Sequence, residues 1–172
     1  MKLRLLVLGS VAVVAGVVAG VLAAWAFRTE PATKTVIAKP CGDRIFGHIA
    51  SLKRQGDHFE MRFDPAWFTS GVTANTAAAE DGAVEAGQPV PNDNYVVEEG
   101  HRLLTYIVRP GAHVSVLTRN ATGQLETPIS VSELARIVNG GKHRPLFEPL
   151  DSGVWIRVHI DTACSLEQQY RP

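Results

Sequence analysis

An excess of charge of either sign is missing from this chain: 17 Lys and Arg stand against 17 Asp and Glu in 172 residues. Proteins that hold nucleic acid need clustered basic residues for their phosphate contacts. No such stripe occurs, so nucleic acid is not an expected partner. Cysteine is scarce as well, with two in all, Cys41 and Cys164. They form no C-x-x-C pair, which leaves redox catalysis without a motif. There is no G-x-S-x-G elbow, no H-E-x-x-H or H-x-H spacing and no EF-hand loop. Gly140-Gly141-Lys142 lacks the preceding Gly and the following Ser or Thr of a phosphate-binding loop. Heptads and repeats of about 20–50 residues are absent too. No cofactor, metal set or named catalytic residue is therefore expected.

What the chain does have is a long, mainly apolar run, Leu5 to Phe27, without a single charge. As a helix it would reach about 34 Å, the thickness of a bilayer's hydrocarbon core. Lys2 and Arg4 precede it, and Trp25 and Phe27 fall where an interfacial aromatic belt belongs. The positive-inside rule then keeps residues 1–4 in the cytoplasm and exports the C-terminal part of the chain. The alternative is a cleaved signal peptide, since Ala24-Trp25-Ala26 matches the small-x-small cleavage pattern. The length of the run favours a retained anchor, and both readings export the rest. Within the run Ala12, Gly16, Gly20 and Ala24 recur at every fourth position. On a helix they form a smooth stripe, including a G-x-x-x-G pair, along which two copies would dimerise. Residues 28–40, with Pro31 and Pro40, read as an extended tether.

Residues 41–172 form one domain large enough for a real core. Cys41 and Cys164 bracket it. Outside the cytoplasm thiols oxidise and stay oxidised, so a Cys41–Cys164 bridge is expected, the alternative being two buried free thiols. Ile45, Gly47 and Ile49 alternate with Phe46, His48 and Ala50, and Phe59, Met61 and Phe63 alternate with His58, Glu60 and Arg62. This is a hairpin pattern. Pairing Ala50 with Glu60 puts every large apolar residue except Phe46 on one face, and sets His48 opposite Arg62. Asp64-Pro65 is expected to end it, with Ala66-Trp67-Phe68 as an apolar corner. An Ala-rich helix is expected over Thr73–Asp81, stopped by Gly82. Tyr95–Val97, Arg102–Val108 and Ala112–Thr118 read as strands, with Pro110-Gly111 turning the last pair. Ser130-Val131-Ser132-Glu133 is a capping box that opens a second helix through Val138. In the final strand, Val154–Ile160, the residues Val154, Ile156, Val158 and Ile160 should face inward. The expected fold is thus α+β and mainly antiparallel, a small curved sheet or partly open barrel with two short helices.

A resemblance is carried by Trp67-Phe68, Gly71, Ala74-Asn75, Glu80-Asp81-Gly82, Pro91-Asn92-Asp93-Asn94-Tyr95 and Gln168-Gln169-Tyr170-Arg171-Pro172. In motif order the chain resembles an uncharacterised bacterial family that places a signal or membrane anchor before one small β-rich domain. The resemblance implies export and a single domain, and no activity.

Several groups invite chemistry. Asp64, Asn75, Glu80, Asp81, Asn92, Asp93 and Asn94 are oxygen-rich, as a calcium site would be, yet Asn and Asp also stabilise turns. His48, His58 and His159 lie on outer faces, where two of them would have to converge to hold zinc. Tyr95, Tyr106, Trp155 and Arg157, with Trp67, offer an aromatic patch for a sugar, a peptide or a partner domain. The preferred expectation is a membrane-tethered binding or cell-envelope module whose partner is an envelope protein or glycan. The alternative is a small hydrolase or metal-dependent enzyme using the Asp/Asn loop and an outer histidine.

Overall fold

The computed structural model describes residues 41–98, 100, 103–121 and 123–171. The expected transmembrane helix, its small-residue stripe and the tether lie outside them. Among the described residues no helix is long and apolar enough to cross a membrane. The same residues form seven strands and two α-helices, in the order β1 (Asp43–Gln55), β2 (His58–Ser70), α1 (Gly71–Glu80), β3 (Asn94–Val97), β4 (Leu104–Asn120), β5 (Gly123–Pro128), α2 (Val131–Val138), β6 (Val154–His159) and β7 (Thr162–Gln168). The strand order β3-β2-β1-β6-β7-β4-β5, with β2 also paired to β4, closes a barrel from β1, β2, β4, β7 and β6. The fold is α+β as expected, but the barrel is closed, and β4 and β7 run parallel.

The period-two pattern of the hairpin is realised, with a corrected register. The strands continue to a tight Gly56-Asp57 turn, so Gln55 faces His58, Lys53 faces Glu60 and His48 faces Asp64. The ladder slips between Ile49 and Ser51, leaving Ala50 as a bulge, so Ala50 does not oppose Glu60 and His48 does not oppose Arg62. A bulge adds one residue to a single strand and bends it, as a closing barrel requires. Leu52, Met61 and Phe63 still reach the interior, where all three are fully buried. Val108, Val114 and Val116 of β4, Val154, Ile156 and Val158 of β6, and Ala163 and Leu166 of β7 complete the core.

Two expected breaks are not breaks. Asp64-Pro65 lies inside β2, and Pro110-Gly111 lies inside β4 instead of turning a hairpin. The β4–β7 register shifts between Val108 and His113, so the missing N–H of Pro110 falls where the ladder already skips. Val154–His159 is followed by another strand, β7. Ile160, expected inside, sits in the connecting turn at φ 60° and is 87 % exposed. A left-handed backbone at a β-branched residue is strained.

Both expected helices form: α1 begins at Gly71, two residues ahead of the expected start, and α2 opens on its predicted cap, Ser130. Gly82, at φ 72°, follows α1. Ser130 Oγ accepts a hydrogen bond from Glu133 N at 3.1 Å, while the Glu133 carboxylate pairs with Arg144 at 3.4 Å. Val131 and Leu134 then plug the barrel interior. Ser130→Ala should cost about 1 kcal/mol. The check is a lower urea midpoint at an unchanged denaturant slope.

The two cysteines are bonded, with Cα atoms 6.4 Å apart across 123 positions. In the β6–β7 ladder Arg157 faces Ser165 and Val158 faces Ala163, so Cys164 is the extra residue of a second bulge. Bulges re-aim side chains, and this one directs Cys164 to Cys41 at the mouth of β1.

Candidate functional site

The site begins where β1 and β2 part. Their ladder ends at Phe46 opposite Ala66. Beyond it, Asp43–Ile45 pair with β6, whereas Trp67–Ser70 pair with β3. Next to the parting point Gly47 faces Pro65. A Cβ on Gly47 would overlap the Asp64 carbonyl oxygen, so only glycine admits this approach of the two backbones. Pro65 supplies no N–H to either neighbour. The strands diverge into a cleft of about 560 Å³, lined by Arg44, Ile45, Phe46, Ala66, Trp67, Phe68 and Trp155.

Its outer floor is aromatic. The Phe46 ring stands 5.2 Å from both Phe68 and Trp155, edge to face, an arrangement worth about 0.5–1.5 kcal/mol per pair beyond area burial. Gly153 supports that ring from below, because a Cβ there would overlap it. Trp155 Nε1 donates to Gln169 Oε1 at 2.6 Å, and the Arg44 guanidinium lies 4.2 Å above the Trp155 ring. Arg44 also approaches the Glu167 carboxylate at 3.7 Å. Arg157 sits directly across from Arg44 on β6. On the rim, Trp67 is 60 % exposed.

Of the residues expected to form an aromatic patch, Trp155 and Trp67 line the cleft, and Arg157 follows Trp155 along the outer face of β6, outside that lining. Tyr106 does not belong to it: it is buried within the barrel against Phe63, and burial raises its phenol pKa. Tyr95 packs instead with α1, where its hydroxyl donates to Asp81 at 3.1 Å. Desolvation first, and then that carboxylate, hold the Tyr95 phenol above its ordinary value. Sequence reasoning missed Arg44, Phe46 and Phe68. A signal was present, since Phe46 is the one large apolar residue of the hairpin on the wrong face.

Part of the oxygen-rich cluster is engaged by the fold itself. Asn75 accepts from Val90 N at 2.8 Å, and Asn94 donates to the Asn92 carbonyl at 2.8 Å. His48 pairs with Glu98 at 2.8 Å. His58 bonds Asp57 at 3.0 Å, a contact that lowers the Asp57 pKa. Among the described residues no three His, Cys, Asp or Glu converge as metal ligands. In the closing motif, Gln168 accepts from Leu117 N at 2.9 Å and donates to the Glu148 carbonyl at 3.1 Å.

The β1–β2 and β6–β7 connections of the barrel are short, Gly56-Asp57 and Ile160-Asp161, and fold alone assigns no ligand. Comparison with protein-family models, curated proteins and solved structures gives no significant match.

Proposed function

We propose that this chain is a membrane-tethered, extracytoplasmic binding module without a catalytic role, which recognises an envelope protein or glycan through the cleft between β1 and β2. The observation that carries the reading is Trp67, a large apolar side chain 60 % exposed at the rim of a concave, aromatic-lined cleft. Concave apolar sites with a few polar groups are where ligands seat, and Trp and Arg dominate binding hot spots. The charge-free Leu5–Phe27 run supports the tether. The Cys41–Cys164 bond suits an oxidising compartment. Kinship with the bacterial family of anchored or secreted small β-rich domains belongs to the same proposal.

Photo-crosslinking in native membranes tests it. A benzoylphenylalanine at position 67 should give a discrete adduct, and one at Leu125, 49 % exposed on β5, should give none. Protease or muramidase sensitivity of the adduct then separates a protein partner from a glycan. Equal labelling at both positions, or none at 67, would remove the cleft from consideration.

A further inference from the structure

We infer that the occupant of the cleft is an extended, acidic peptide segment that adds itself as a strand between the parted arms of β1 and β2. The inference rests on the cleft being the binding site and goes on to name what it binds.

Three observations carry it. First, the cleft is bounded by two strand edges. The arm of β1 over Asp43–Ile45 has β6 on one side, and the arm of β2 over Trp67–Ser70 has β3 on one side. On the sides that face each other, neither arm has a strand partner among the described residues. Main-chain groups along such an edge need hydrogen-bond partners, and β-augmentation supplies them. Arms of this length, at about 3.3 Å per residue, suit about three residues of extended chain.

Second, the lining comes from both faces of the sheet. Arg44, Phe46, Ala66 and Phe68 belong to the outer face, whereas Ile45 and Trp67 alternate with them on the other. A groove on one face would be lined from that face alone. A slot lined from both suits a strand, whose successive side chains point alternately to either side.

Third, the charges are unbalanced. Arg44 and Arg157 are directly opposite on neighbouring strands, a pairing that is destabilising by itself. Glu167, 3.7 Å from Arg44, supplies one carboxylate against two guanidinium groups. Arg44 lines the cleft, whereas Arg157 is on β6, across β1 from it, so a second carboxylate, from a Glu or Asp of the incoming strand, would pair with Arg44. Cys41 and Gly42, the described residues just ahead of β1, are not occupants of the cleft. Cys41 is tied to Cys164 on β7, and Gly42 lies against the Val158 backbone of β6. Both are on the side of β1 away from the cleft.

Strand addition draws its affinity from main-chain hydrogen bonds and is therefore tolerant of sequence, so a defined probe suffices. The full chain in detergent micelles, disulfide intact, is titrated with Ac-Thr-Val-Thr-Val-Glu-NH2, following tryptophan fluorescence and the amide resonances of Arg44, Trp67 and Phe68. The peptide should bind and shift those resonances. N-methylation at alternate residues should weaken it at least 10-fold, and Lys in place of Glu at least 5-fold. The variant Arg44→Gln/Arg157→Gln, checked for an unchanged melting temperature, should bind the Glu and Lys peptides alike. No binding of the parent peptide, or equal binding of the N-methylated one, would overturn the strand. Chitotetraose shifting the same resonances where the peptides do not would also overturn it, while leaving the cleft as the binding site. Failure of the cleft itself would appear separately, as absent crosslinking at position 67.

Discussion

Replacing Cys41 and Cys164 together with serine should lower the melting temperature of the full chain by roughly 10–20 °C. The bond closes a loop spanning 123 positions, for which the chain-entropy account gives about 4–5 kcal/mol. For a domain of about 130 residues, 1 kcal/mol moves the melting temperature by about 3–5 °C, and strain in the folded state lowers the total. Either single substitution should cost nearly as much as the pair, because each alone abolishes the cross-link. Dithiothreitol should reproduce the loss in the unaltered chain. Differential scanning fluorimetry checks all four conditions, and a shift below about 3 °C would mean that the bond does not constrain the unfolded chain.

Phe46→Ala and Trp67→Ala should separate structure from recognition. Phe46 is 2 % exposed and wedged among Phe68, Trp155 and Ala66, so its truncation should cost about 3–5 kcal/mol. Trp67 leaves most of its surface in water, and its truncation should move stability by no more than about 0.5 kcal/mol while weakening the peptide binding followed at the Arg44 and Phe68 amides. Urea denaturation measures both. Comparable losses from the two would assign Trp67 to the core and deprive the cleft of its exposed anchor.

Local signals carried much of this architecture. Alternation through Phe59, Met61 and Phe63 marks an inner face, Ser130 marks a helix start, and Gly82 marks a helix end. The illegible parts share one physical origin. The bulges at Ala50 and Cys164 insert a residue and reverse the inward–outward parity of the residues beyond them. In β7 the inward residues Ala163 and Leu166 therefore stand three apart, and the segment loses the period-two signature of a strand. Pro65 and Pro110 look like breakers in sequence, yet they fall where β2 changes partner and where the β4 ladder skips. The cleft depends on β1 and β2 choosing different neighbours, a long-range event without local signature. Only the misplaced Phe46 announced it.

The bulged cysteine has a mechanical consequence. A pull on the chain ahead of Cys41 would meet β1 at its first residues and, unlinked, would peel it from β6 one pair at a time. Through the Cys41–Cys164 bond the same pull arrives in β7, a strand held by β6 on one side and by β4 on the other. The load would then spread over two ladders, those of β7 with β6 and with β4.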